Sequence, residues 1–170
     1  MATTQKLNTY AASATITLGL AGTPLASSSG LTAGRQSTAV DNTSNLYLDA
    51  LVSGKVTTGT SPTVSTFIEI WAYAAIDDAP TYPDTITGSD GDVTITSLNV
   101  KNSALALLRT ITIDNTSNRT YYWGPCSIAQ AFGQMPRKWG LFVVHNTGVA
   151  LNSTAGNHQA KYDGILTQSV

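Results

Sequence analysis

Along most of this chain apolar residues recur at every second position, the period of a strand with one side turned to a core. Ala14, Ile16 and Leu18 alternate with Ser13, Thr15 and Thr17 and predict a first strand near 12–19. Arg35–Val40 predicts a second, and Leu46, Leu48, Ala50 and Val52 share one face of a third. Thr63–Ala75 is the longest run, with Ile68, Ile70 and Ala72 on one side and Phe67, Glu69, Trp71 and Tyr73 on the other. Such a strand is expected to be covered on both sides, by another strand layer, a subunit interface or a ligand platform. Val93–Leu98, Leu105–Ile113, Thr120–Trp123, Lys138–His145 and Gln159–Gln168 supply the later strands.

The punctuation between these runs is equally regular. Asp-Asn-Thr-Ser-Asn occurs twice, at Asp41–Asn45 and Asp114–Asn118, each time between two strand-like runs. Asp, Asn and Ser suit corners because their side chains bond nearby backbone groups and because Asn and Asp tolerate left-handed backbone angles. Residues 21–34, Lys55–Pro62 and Asp77–Gly91 are rich in Gly, Pro, Ser, Thr or Asp and predict connections. One short helix is predicted at Ser127–Phe132, stopped by Gly133. Eight or nine strands joined by corners predict an all-β, two-sheet antiparallel β-sandwich, a jelly roll first and an immunoglobulin-like sandwich second. The expected organisation is a single domain, with residues 1–34 as an N-terminal segment of one strand and an extended connection or arm, and 35–170 as the sandwich body.

Composition narrows the partners. Nine basic residues against ten acidic ones give a formal charge of −1, which points away from nucleic acid and anionic membranes. Only 11% of residues are charged while Ser and Thr make up about a quarter, a surface that another protein can cover without desolvating many charges. No apolar run is long enough for a membrane-spanning helix, and the first residues lack the pattern of a secretory signal. A single cysteine, Cys126, is expected to be a small buried hydrophobe.

Candidate chemistry is sparse. Asp77, Asp78, Asp84, Asp90 and Asp92 are clustered, and Asp90 with Asp92 could offer oxygens to a structural cation, although the spacing is not that of an EF-hand. Glu69 with one of these carboxylates is the one pairing for glycoside hydrolysis. His145 and His158 lack acidic or histidine partners at a ligand spacing, and each is expected to bond a turn carbonyl. No nucleophile elbow or phosphate loop is present, so neither catalysis nor a cofactor is expected. Trp71, Tyr73, Tyr121, Tyr122, Trp123 and Trp139 are expected in the core or a subunit interface, with a sugar-stacking platform as the alternative. Of these, Trp71, Tyr73, Tyr122 and Trp123 are the interface candidates.

The series Arg35–Asn42, Tyr47–Val52, Ser127–Gly133 with Pro136-Arg137-Lys138, and Asn146-Thr147-Gly148 through Tyr162–Ile165 resembles small virion structural proteins of tailed bacteriophages. Within that group the chain is similar to jelly-roll capsid decoration, or cement, proteins. The resemblance implies a protein made in the host cytoplasm and placed on the outer surface of the capsid, where it fastens neighbouring major capsid subunits. It implies a symmetric homo-oligomer, a trimer before a dimer. The alternative is a tail- or virion-associated β-sandwich that recognises host glycan.

Overall fold

A computed structural model describes residues 6–169. Its strands are β1 (Lys6–Tyr10), β2 (Ala14–Thr15), β3 (Ala33–Gln36), β4 (Val40–Asp41), β5 (Asp49–Thr57), β6 (Thr66–Ala74), β7 (Gly91–Thr94), β8 (Ala106–Ile113), β9 (Thr120–Ser127), β10 (Lys138–His145) and β11 (Gln159–Ser169). Two short helices interrupt them, α1 (Leu98–Ala104) and α2 (Ile128–Phe132). Ser127 caps α2 by accepting from Gln130 N, and Gly133 ends it in the left-handed conformation.

The strands form two antiparallel sheets packed face to face, an all-β sandwich. One sheet runs β1-β11-β5-β9, with β2 also on β11. The other runs β7-β3-β10-β6-β8, with β4 also on β10. Between the sheets Ile68, Ile70 and Ala72 of β6 meet Leu141 and Val143 of β10, Ala50, Val52 and Val56 of β5, and Trp123 and Trp139. The opposite face of β6 and β10 is covered too. There Trp71, Tyr73, Phe142 and Val144 pack under Ile86, Ile95 and Leu105, which come from the loop after β6 and from both sides of α1. Gly140 is required at this crossing, because a Cβ would collide with the Tyr73 ring.

Several expected boundaries move. The strand expected near 12–19 shrinks to β2, and β1 precedes it. Residues 6–34 are not an arm lying over a finished body: β1 and β2 pair with β11, and Ile16, Leu20 and Leu25 are buried in the central core. β5 begins at Asp49, so Leu46 and Leu48 lie outside it and are exposed, while Ala50 and Val52 face the core as expected. The strand continues to Thr57, into the segment expected to be a loop.

Candidate interaction site

The two ends of the sandwich differ in chemistry. At the end where β5 begins and β11 pairs with it for the last time, the first repeated corner leads out of β4. Asp41 Oδ1 accepts from Thr43 N and Oγ1 at 2.9 and 2.6 Å, and Asp41 Oδ2 lies 2.8 Å from Lys138 Nζ. These contacts hold the Asp41 carboxyl well below the usual carboxylate range, the Lys138 contact contributing most. Asn42, nearly buried, grips the exit with both ends of its amide: Oδ1 accepts from Tyr47 N at 2.8 Å and Nδ2 donates to Tyr47 O at 3.1 Å.

Between these anchors Leu46 takes φ 52° with its side chain 71% exposed. A left-handed backbone costs a residue with a Cβ about 1–2 kcal/mol, and leucine offers no local hydrogen bond in return. The Tyr47 ring lies over Gly164, where a Cβ would come within 2.6 Å of ring carbons, and closes this end of the core edge-on to Tyr162. The loop Gln134–Arg137 projects alongside. Met135, Pro136 and Arg137 separate two hollows, one of about 500 Å³ reaching Ile76 and Phe132, the other of about 430 Å³ reaching Leu46 and Tyr47. Ile76 is 70% exposed, and Leu7, Tyr10 and Leu48 are each more than half exposed at the same end. Grouped exposed apolar side chains around concave surface are the composition of a protein-binding patch.

The opposite end is sealed by polar contacts. The second corner repeats the first step, with Asp114 Oδ1 accepting from Thr116 N at 2.9 Å, and adds an ion pair to Arg119 and a bond from Tyr121 Oη. Asn118 N donates to Gly59 O at 3.0 Å, and Asn118 Oδ1 accepts from Asn152 Nδ2 at 2.8 Å. His145, fully buried, lies 3.0 Å from both Leu25 O and Thr147 Oγ1. Because a carbonyl only accepts, Nε2 carries the proton of the neutral ring. Burial pushes the His145 pKa down, against the opposing pull of the Leu25 bond. His158 Nε2 is 2.7 Å from Asn152 O, so both histidines bond main-chain carbonyls as expected. His158 is lowered by burial as well.

The remaining candidates fall elsewhere. Trp71, Tyr73 and Trp123 are buried and present no surface for a partner or a sugar; Tyr122, at 79% exposure, is the one interface candidate of the four that faces outward. Trp139 is buried and Tyr121 half-buried. Asp90 and Asp92 are held by a guanidinium: Arg35 Nε and Nη2 donate to Asp90 at 3.0 and 2.9 Å, and Nη1 to Asp92 at 3.1 Å. Asp90 also accepts from Gly19 N at 2.9 Å, so the pair pins the N-terminal segment to the sheet, and Arg35 occupies the position proposed for a cation. Among the described residues no group of three or more His, Cys, Asp or Glu side chains is placed to hold a metal.

Glu69 is likewise engaged. Its Oε2 accepts from Lys101 Nζ at 2.7 Å and Trp71 Nε1 at 2.9 Å, and Lys101, buried on α1, also donates to Leu31 O at 2.7 Å. Cys126 is half-buried, with its thiol 3.6 Å from Leu108 O. Sequence reasoning missed Leu46, Ile76 and the Met135–Pro136 loop. The available signal was the Pro136-Arg137-Lys138 punctuation beside two apolar residues that no strand absorbs. Among the described residues no helix is long and apolar enough to cross a membrane. No family model, no curated protein and no solved structure matches the chain.

Proposed function

We propose that the chain is a non-enzymatic virion structural protein of a tailed phage, a decoration protein that docks on the outer head shell and stabilises contacts between major capsid subunits. The observation that carries the reading is the apolar end, where Leu46 is held outward at a left-handed turn beside two hollows and Ile76. A strained exposed leucine is costly for the isolated chain, and such strain is retained where function uses it. The low charge fits a surface destined to be covered. Clamping repeated joints of a shell multiplies a modest contact over many symmetry-related sites. The strand orders β1-β11-β5-β9 and β3-β10-β6-β8, with first and last long strands as neighbours, support a jelly-roll reading of the sandwich.

Electron cryomicroscopy of the particle that carries the chain tests this. The expected result is density at regular positions over the capsid lattice, with Leu46 and Ile76 facing a capsid subunit. Density on the tail alone, or none on the particle, overturns it. Ile76→Ser is expected to change stability by no more than about 0.5 kcal/mol, as for surface substitutions generally. The same change should empty the capsid sites, and full occupancy by the variant would remove this end from the interface.

A further inference from the structure

The pairing of β11 with β5 ends at Ile165, and beyond it β11 is paired only with β1: Leu166 with Thr9, Thr167 with Asn8, Gln168 with Leu7 and Ser169 with Lys6. The sandwich therefore extends into a two-stranded ribbon past its own core. A lone two-stranded ribbon is marginal in water. This one carries Leu7 and Leu166 on a shared face, since Thr9 lies directly opposite Leu166 and Leu7 is two residues from Thr9. Leu7 is exposed, and so is Leu48, whose amide donates to Ile165 O at the foot of the ribbon.

The ribbon's outer edge is open among the described residues, because β1 ends its sheet. Ala11 N donates to Gly164 O at 2.8 Å, which turns Ala11 and, by alternation, Thr9 and Leu7 toward β11. Lys6, Asn8 and Tyr10 consequently point their backbone groups away from it. The other three edges are blunted by the means folded proteins use. β7 is four residues long and bears Asp92, β9 contains Pro125, and β8 has a register irregularity against β6 beside Leu108, whose carbonyl receives the Cys126 thiol.

We infer that β1 pairs antiparallel with β1 of a second copy of this chain across a two-fold axis at Asn8, joining the two ribbons into one four-stranded sheet. The outward backbone groups match: Asn8 of one copy meets Asn8 of the other, and Lys6 meets Tyr10 on either side. This register sets Lys6, the one charge in the sequence of the strand, at the position paired with Tyr10 and not with its own counterpart. A second copy is the occupant because one contact removes both open edges and sets each Leu7 beside Thr9 of the other copy, and a two-fold interface is self-complementary. The inference does not rest on the virion reading and replaces the three-fold expectation with a two-fold.

Sedimentation of the isolated full chain is the test. The wild type is expected to be a dimer; a monomer or a trimer overturns the inference. Asn8→Pro deletes an outward amide and spares the main-chain bonds to β11, losing only the exposed 3.4 Å contact of Asn8 Oδ1 with Thr167 Oγ1, so it should give a monomer that melts like the wild type diluted to monomer. Dimers that survive Asn8→Pro would sink the pairing. Tyr10→Glu and Tyr10→Lys guard against a variant that loosens β1 for other reasons. Opposite Lys6, Glu should retain the dimer and Lys should weaken it about tenfold relative to Glu. Equal dissociation constants for the two would exclude this register.

Discussion

Asp-Asn-Thr-Ser-Asn stands at both ends of the sandwich, and its two copies begin alike and finish differently. In each the aspartate accepts the amide two residues on. At the polar end the left-handed position falls on Asn118, φ 56°, a residue that adopts this conformation readily and here also bonds Asn152. At the apolar end the same role falls one residue later, on Leu46, φ 52°. The local turn is a property of the pentapeptide; what it presents is decided by the residue that follows and by the layer around it. One end uses its corner to close the core with hydrogen bonds, and the other uses the same corner to hold a leucine in water.

The largest effect should come from the plug behind the apolar end. Trp139 is fully buried, pairs with Val40 and packs edge-on against Tyr162. Trp139→Ala is expected to cost about 3–5 kcal/mol in denaturant unfolding, the range for truncating a buried large aromatic. Its Nε1 has no hydrogen-bond partner in the fold, so no polar contact is lost with it. A cost below about 1 kcal/mol would mean that this end is loosely packed and that the contrast between the ends is not one of surface alone.

Next comes the histidine of the polar end. His145→Leu removes two buried hydrogen bonds, to Leu25 O and Thr147 Oγ1, while Leu25 O keeps the bond from Leu151 N. At about 0.5–1.5 kcal/mol each, their loss should cost about 1–3 kcal/mol. The same residue gives this end a pH dependence. Its folded pKa is lowered, so the unfolded chain binds protons more readily, and stability is fully present above the unfolded value near 6.5 and is lost as pH falls below it. His158 acts in the same direction. Asp41, lowered at the apolar end, loses its contribution only as pH falls through the carboxylate range. Melting temperature should therefore fall between pH 7 and pH 5 in the wild type and fall less in His145→Leu. An identical slope in the two proteins would remove His145 from the account.

How much of this was legible follows from what alternation can report. Lys138–His145 reads as a strand at its observed bounds, because an apolar run buried on both faces needs no knowledge of the partner. Ser127 and Gly133 mark α2, since caps are local chemistry. Alternation also placed Leu46 and Leu48 with Ala50 and Val52. Periodicity reports which residues share a side, and whether a second layer reaches that far depends on the length of the facing sheet. The helix α1 was missed because seven residues hold too few turns to show a period. The Lys101–Glu69 pair joins residues 32 apart, and no local pattern signals a buried lysine that finds its partner on another strand. The tryptophans and Tyr73 read as core or subunit interface; the cover over the outer face of β6 decides it for Trp71 and Tyr73, and the packing between the two sheets for Trp123 and Trp139.

The smallest expected effects are the most direct test of the two corners, because they should differ in sign. Asn118→Leu puts a residue with no local hydrogen bond at the left-handed position of the polar end and should destabilise by about 1–2 kcal/mol. Asn118→Gly keeps the backbone freedom and removes only the exposed contact to Asn152, so it should cost less. Leu46→Asn supplies at the apolar end what the other corner already has and should stabilise the isolated chain by up to about 1 kcal/mol. Little packing opposes the gain, because Leu46 is mostly exposed. If Leu46→Asn destabilises instead, the side chain contributes to the fold of the single chain, and its exposure is no sign of a surface kept for a partner. If it stabilises while removing the chain from the particle, the strain at Leu46 is what the isolated protein bears for the contact.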